Sequence, residues 1–140
     1  MLHPFIPYFD TKTPEYMEQT NISFLEAAMN FKVEKRPIYE VKIPAEMIHS
    51  GDFFLISRLD GLDPMIQYGT GSRGGHCTNA LWFGDELYIV ESQDTWYWPN
   101  KNIQRTPYAQ WIEYAKEASY NTIWLPLNEE QRQKFDEKAA

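Results

Sequence analysis

The stretch 71–93, GSRGGHCTNALWFGDELYIVESQ, decides the fold of this chain, because it holds two runs of strand-forming residues around a tight turn. The runs are residues 78–83 and 86–92, which are rich in apolar and aromatic side chains. Gly84-Asp85 separates them, and a two-residue loop with glycine first is typical of a β-hairpin. We therefore predict an antiparallel hairpin with Gly84 and Asp85 at its tip.

The turn also predicts the register of the hairpin, and hence which side chains share a face of the sheet. Phe83 would oppose Glu86; opposed residues lie on the same face, and successive residues alternate between faces. One face then carries His76, Thr78, Ala80, Trp82, Leu87, Ile89 and Glu91. The other face carries Cys77, Asn79, Leu81, Phe83, Tyr88, Val90 and Ser92.

This register makes His76 and Glu91 the candidate catalytic residues. They are diagonal neighbours across the two strands, near enough for a carboxylate to orient an imidazole that acts as a base. Cys77 follows His76 directly in sequence but points to the opposite face, so attack by this pair is geometrically poor. We interpret Cys77 as a small, buried packing residue.

Outside the hairpin, caps and apolar runs predict further helices and strands. A Thr-Pro pair before an amphipathic run predicts helices at residues 14–30 and 107–118, and Asp63-Pro64 caps a brief helix at 63–69. Strands are predicted at 38–43, 53–56 and 122–127, and an extended arm at residues 1–12. The fold class is α+β, a small antiparallel sheet or partly closed barrel with flanking helices.

A last helix is predicted after Asn128, because Asn128 and Gln131 have the spacing of a capping box. No glycine, asparagine or proline stops this helix before Ala140, so we expect it to be cut off rather than finished. The 140 residues are then a single domain or the N-terminal portion of a longer one.

Composition excludes several classes of partner. The net charge of −7 and the pI near 4.9 argue against nucleic acid, since phosphate contacts need a basic surface. No apolar run is long enough for a membrane span, so we expect a soluble chain. One cysteine and three scattered histidines show no metal-ligand spacing, and we expect no metal or other cofactor. The compartment stays open between secreted, lysosomal and cytoplasmic.

The aromatic loop around Trp96, Tyr97 and Trp98 has two interpretations. The rings can cover one end of the core, or they can stack on a planar ligand. In the second case Trp96 and Trp98 are binding residues, and the chain is a non-catalytic module that binds carbohydrate or peptide.

The order of these motifs resembles a known family. Gly51-Asp52 enters an apolar strand, a short helix follows, Thr70-Gly71-Ser72 leads to His76 at a strand start, and Glu91 lies in the next strand. This order, over residues 50–92, resembles the circularly permuted branch of the NlpC-type papain-like cysteine peptidases and amidases, the YiiX-like group. The resemblance implies half of a papain-like, NlpC-like fold in which His76 is the catalytic base and Glu91 orients it.

In that group the nucleophilic cysteine comes later, at the start of a helix, and no cysteine follows Glu91 here. We therefore expect the nucleophile downstream of residue 140, on the C-terminal remainder of the same domain. The expected substrate is a small molecule or peptide with an amide or ester bond, and these 140 residues alone should be inactive. A degenerate, non-catalytic member of the group and an acyltransferase of the lecithin retinol type are the alternatives.

Overall fold

The computed structural model describes residues 8, 11–30, 32, 42–93, 98–99 and 102–140. These residues form an open, five-stranded antiparallel sheet with flanking helices, which confirms the predicted α+β class. The strands lie in the order β4-β3-β2-β1-β5 across the sheet. The elements along the chain are α1 (Glu15–Met29), a 3₁₀ turn (Ala45–Met47), β1 (Phe53–Ser57), α2 (Leu62–Thr70), β2 (His76–Phe83), β3 (Glu86–Ser92), β4 (Ile103–Pro107), α3 (Tyr108–Glu117), β5 (Asn121–Leu125) and α4 (Glu129–Lys134).

The hairpin β2–β3 has the predicted turn and the predicted register. Phe83 opposes Glu86, and Ala80 opposes Ile89. Gly84 has a φ of 62°, a left-handed conformation that glycine adopts without a steric penalty. The face of the hairpin that carries Ala80, Leu87 and Ile89 is turned into the core, and we call it the inner face of the sheet.

Helix α3 covers this inner face and closes the hydrophobic core. The indole of Trp111 packs on the ring of Phe54, with ring centroids 5.5 Å apart, and Trp111 is almost fully buried. Burial of two such large rings against one another is a major source of the stability of a domain of this size. The buried core consists of Ile48, Phe54, Ile56, Ala80, Leu87, Ile89, Tyr108, Trp111 and Ala115.

Strand β4 was not predicted from the sequence. It pairs antiparallel with β3 at the edge of the sheet and ends at Pro107, a residue tolerated at a sheet edge. Its inward residues are Gln104 and Thr106, while Ile103 is exposed. Because the buried positions are polar and an apolar residue faces outward, the usual hydrophobic signal of a strand is absent.

The other predictions agree with the structure to different extents. Helices α1, α2 and α3 and strands β1 and β5 lie within one or two residues of their predicted positions. The strand predicted at 38–43 falls mostly outside the described residues, and so does most of the arm at 1–12. Of the arm, the N–H of Tyr8 donates to the carbonyl of Asp60 at 3.0 Å.

The expectation that the last helix runs unfinished to Ala140 is wrong. Helix α4 begins as predicted, since the Asn128 side chain accepts the Gln131 N–H at 2.9 Å, but it ends at Lys134. Phe135 is extended, and its ring lies so close to Gly51 that a Cβ there would come within 2.8 Å of it. Packing of Phe135 on Gly51 replaces the next turn of the helix.

Asp52, just before β1, binds several elements through its buried carboxylate. Its Oδ2 accepts from the His49 N–H at 3.0 Å and the Trp124 indole at 3.1 Å. Its Oδ1 accepts from the Leu127 N–H and from the Arg132 guanidinium, each at 3.0 Å. Burial alone would raise the pKa of Asp52, but these hydrogen bonds and the Arg132 charge outweigh it and lower the pKa.

Asp52→Asn should therefore destabilise the protein at pH 7. The amide nitrogen cannot accept a hydrogen bond, so donors aimed at the carboxylate lose their partner and Arg132 loses its counter-charge. We expect the free energy of unfolding, measured in urea, to fall by about 2–4 kcal/mol.

The matched control is Asp85→Asn in the exposed hairpin turn, for which we expect a change within about 0.5 kcal/mol. Folding lowers the pKa of Asp52 below its unfolded value of 3.8. The contribution of Asp52 to the free energy of unfolding should therefore be fully present above pH 3.8 and be lost as the pH falls below it. An equal decrease in the free energy of unfolding for Asp52→Asn and Asp85→Asn would contradict this role of Asp52.

Candidate functional site

His76 and Glu91, the two predicted catalytic residues, are in direct contact. His76 is the first residue of β2 and Glu91 lies near the end of β3, both on the inner face. The His76 Nε2 lies 2.8 Å from the Glu91 Oε2. The Glu91 side chain is 2% exposed and that of His76 is 20% exposed, so the carboxylate is buried while the imidazole reaches the surface.

Glu91 has a second partner that the sequence did not reveal. Gln104 of β4 lies directly opposite Glu91, and its Nε2 donates to the Glu91 Oε1 at 3.0 Å. Each carboxylate oxygen is therefore held by one neighbour, as a buried carboxylate requires. Gln104 was missed because β4 was missed, and its spacing from Glu91 carries no local signal.

The hydrogen bond to Glu91 also assigns the tautomer of a neutral His76. A carboxylate only accepts, so Nε2 carries the proton and Nδ1 carries the lone pair. Within the described residues, Nδ1 has no hydrogen-bond partner. His76 can therefore accept a proton at Nδ1 while Glu91 stabilises the imidazolium that results.

Cys77 lies on the opposite face of the sheet from His76, as the register predicted. The expectation that it is buried is wrong, because its side chain is exposed. Cys77 opposes Leu55 of β1 on the outer face of the sheet, and this part of the outer face is open to solvent. The thiol therefore cannot act with His76 in the same site.

A small cavity of about 190 Å³ adjoins His76. Leu62, Asp63 and Ile66 line it from the first turns of α2, and Gly75 and the end of β3 complete its wall. A few polar groups converging on an otherwise apolar cavity are typical of a site for a small ligand. The sequence predicts α2 only as a short helix, and no local pattern places this helix beside His76.

Asp63 is a buried carboxyl group in the wall of this cavity. It is 2% exposed, and its Oδ2 accepts the Arg58 N–H at 2.7 Å. The prediction that Asp63 caps α2 is wrong: the carboxylate of Asp60 has that role, since its Oδ1 accepts the Asp63 N–H at 3.1 Å. Gly75 is essential to this packing, because a Cβ there would lie 2.5 Å from the Asp63 Cγ.

Burial raises the pKa of Asp63 to about 7, and the negative charge of Asp60 adds to this effect. The hydrogen bond from the Arg58 N–H and the charges of His76 and Arg58 act in the opposite direction and offset part of the shift. Asp63 is therefore close to half-protonated at neutral pH, which is unusual for a carboxyl group.

Arg58 and Tyr120 complete the buried polar surroundings of the site. The Arg58 guanidinium lies 3.5 Å from Asp60 and 5.4 Å from the centre of the Tyr120 ring. Burial raises the pKa of Tyr120 well above its usual value; the charge of Arg58 opposes that rise, while the charges of Glu91, Asp63 and Asp60 add to it. Tyr120 stays neutral, and the site is dominated by its acidic groups.

The aromatic loop is described only in part. Trp96, the first predicted binding residue, lies outside the described residues. The indole of Trp98, the second, is half-buried and packs edge-to-face on Tyr114 of α3, with ring centroids 5.8 Å apart. Trp98 therefore contacts the helix that covers the core, and a binding role for this loop stays a prediction.

The chain has no match among protein-family models, curated proteins or solved structures. No helix in the described part of the chain is long and apolar enough to cross a membrane. Function must therefore be inferred from the geometry of the site itself.

Asp63→Asn should change the pH dependence of stability in a defined direction. Folding raises the pKa of Asp63 from 3.8 to about 7, so the folded wild type disfavours the ionised form. Stability contributed by the neutral carboxyl is present below pH 4 and is lost as the pH rises to about 7. Asparagine does not ionise, and it can still accept the Arg58 N–H.

Relative to wild type, Asp63→Asn should therefore gain free energy of unfolding between pH 4 and 7, by about 1–4 kcal/mol, and then remain level. The measurement is urea unfolding of both proteins at several pH values between 4 and 8. A difference that does not vary with pH would show that the Asp63 carboxyl is ionised throughout.

Proposed function

We propose that this chain supplies the base and the orienting carboxylate of a cysteine hydrolase that acts on an amide or ester. His76 is the base and Glu91 orients it. The observation that carries the proposal is the 2.8 Å contact between His76 Nε2 and Glu91 Oε2, which leaves Nδ1 as the nitrogen that can accept a proton. A buried carboxylate bound to one nitrogen of a partly exposed imidazole is the arrangement that acyl-transfer enzymes use to hold their base.

In the proposed reaction, Nδ1 of His76 removes the proton of a cysteine thiol, and the thiolate attacks the carbonyl carbon. The tetrahedral intermediate then expels an amine or an alcohol, which takes the proton from Nδ1. A water molecule, deprotonated by the same nitrogen, then attacks the thioester carbonyl, and the C–S bond breaks to release the acid and the cysteine thiolate. The imidazolium returns its proton to the thiolate, which restores the thiol and the neutral histidine. Glu91 stabilises the imidazolium in each half-reaction, and Gln104 holds Glu91 in place.

The nucleophile in this proposal comes from outside these 140 residues. Cys77, the single cysteine of the sequence, lies on the other face of the sheet and cannot reach Nδ1. His76 borders the cavity beside α2, and a thiol and a carbonyl could reach the imidazole from that side. The 140-residue chain alone should therefore not hydrolyse amides or esters.

A cysteine placed experimentally beside His76 tests whether this histidine can act as a base. Leu62 is the first residue of α2 and lines the cavity, and a helix N-terminus favours a thiolate. The experiment uses Leu62→Cys in a Cys77→Ser background, so that the new thiol is the single one. Its rate of alkylation by iodoacetamide between pH 5 and 9 reports the fraction of thiolate.

We expect this thiol to react at pH 6 about 10-fold faster when His76 is present than in the matched His76→Ala variant, because an imidazolium stabilises the thiolate. Met65→Cys, on the same helix but outside the cavity wall, should react as an ordinary thiol with or without His76. Equal alkylation rates for Leu62→Cys with and without His76 would overturn the proposed role of this histidine.

A further inference from the structure

The cavity beside His76 contains a buried acceptor that the proposed chemistry does not use. Asp63 is 2% exposed and lines the cavity, with Oδ2 bonded to the Arg58 N–H. Its other oxygen, Oδ1, accepts no hydrogen bond from the residues that the structure describes. Because Asp63 lines the cavity and Oδ1 keeps its acceptor capacity, a ligand in the cavity that donates to Oδ1 would gain a hydrogen bond to a group that is otherwise largely shielded from water.

The groups around Asp63 favour a positively charged ligand. Asp60 and Glu91 are the nearby acids, on the loop before α2 and on β3, and Tyr120 stays neutral. The positive charge of Arg58 lies 3.5 Å from Asp60 and is balanced by it. With His76 neutral, negative charge therefore predominates around the cavity, which attracts cations and repels anions.

The remaining wall of the cavity is apolar. Leu62 and Ile66 of α2 face it, and their side chains are suited to the methylene groups of an alkyl chain. A volume of about 190 Å³ corresponds to roughly six water molecules, at about 30 Å³ for each. This is room for an ammonium group with a short alkyl chain.

We propose that this cavity binds an alkylammonium group through Asp63 Oδ1, and that the substrate carries such a group near the bond that is cleaved. The second half of this statement rests on the proposed hydrolase function. The first half does not, because binding of an amine needs neither the cysteine nor the acid–base chemistry of His76.

Binding should be coupled to pH. The pKa of Asp63 is about 7 without ligand, and an ammonium group prefers the ionised carboxylate, so binding releases the proton of Asp63. Between pH 6 and 8 the ionised fraction rises about 10-fold, and the affinity for an amine should rise with it. His76 also borders the cavity, and a positive charge on its imidazole would oppose the binding of a cation.

The test is an NMR titration of the 140-residue protein with three probes of similar size: n-butylammonium, n-butanol and butyrate. The reporter is the His76 ring Cε1–H resonance, identified by its loss in His76→Ala, and the resonance of the exposed His49 serves as internal control. At pH 8 and constant ionic strength, butylammonium should shift the His76 signal saturably. Butanol should bind at least about 10-fold more weakly, and butyrate should not bind.

Three variants locate the site. Asp63→Asn should weaken butylammonium binding about 10-fold or more and remove most of its pH dependence. Ile66→Lys places a competing cation at the rim of the cavity and should weaken binding similarly. Met65→Lys makes the same charge change on an exposed side chain of α2 outside the cavity wall, and should leave the affinity unchanged. If Asp63→Asn does not fold, the wild-type pH dependence and the two lysine variants decide the question.

The inference is overturned if butylammonium gives no saturable shift, if butanol or butyrate binds equally well, or if Ile66→Lys and Met65→Lys behave alike. Failure of the hydrolase proposal is a separate result, seen as equal alkylation of Leu62→Cys with and without His76. Saturable binding of butylammonium together with that failure would leave an amine-binding site without acyl-transfer chemistry.

Discussion

The antiparallel register of β2 and β3 is the constraint on which the rest of the structure depends. The Gly84-Asp85 turn sets this register, with Phe83 opposite Glu86. A shift of one residue would move every side chain to the other face and expose the core residues of the hairpin to water. The same register brings Glu91 to the inner face, where a buried carboxylate is stable only with hydrogen-bond donors. His76 and Gln104, from the strands on either side, supply them.

The site holds two carboxyl groups whose surroundings differ. Glu91 has a partner on each oxygen, a histidine on one and an amide on the other. Asp63 is buried beside a second acid, Asp60, and in the described part of the chain only one oxygen of Asp63 accepts a hydrogen bond, from the Arg58 N–H. Burial and the charge of Asp60 outweigh this hydrogen bond and raise the pKa of Asp63 to about 7. Two titratable groups with separate environments beside one imidazole can have separate roles. In our proposals Glu91 orients the base, and Asp63 binds the substrate.

The core and the C-terminal segment provide the rigid support for this site. Trp111 of α3 packs over the inner face on Phe54, next to the strand that carries His76. At the N-terminal end of β1, before Phe53, the Asp52 carboxylate accepts hydrogen bonds from β5, from the segment after it and from α4. These long-range contacts fix β1 in the sheet, and β1 is the strand that pairs with β2 beside His76, so the site is built on a rigid scaffold.

The sequence by itself determined the hairpin, its register and the His76–Glu91 pairing, because turn chemistry and the alternation of side chains along a strand act between near neighbours. It also determined most of the helix starts, for the same local reason. Only the tertiary structure decided which residues come from distant segments to complete the site. Gln104 lies on a strand whose buried positions are polar, and Asp63 reaches the cavity through the packing of α2. Cys77 is exposed because the outer face of the sheet is open to solvent around it, and α4 ends at Lys134 where Phe135 packs on Gly51. Both outcomes depend on contacts between residues far apart in the chain, which no local pattern encodes.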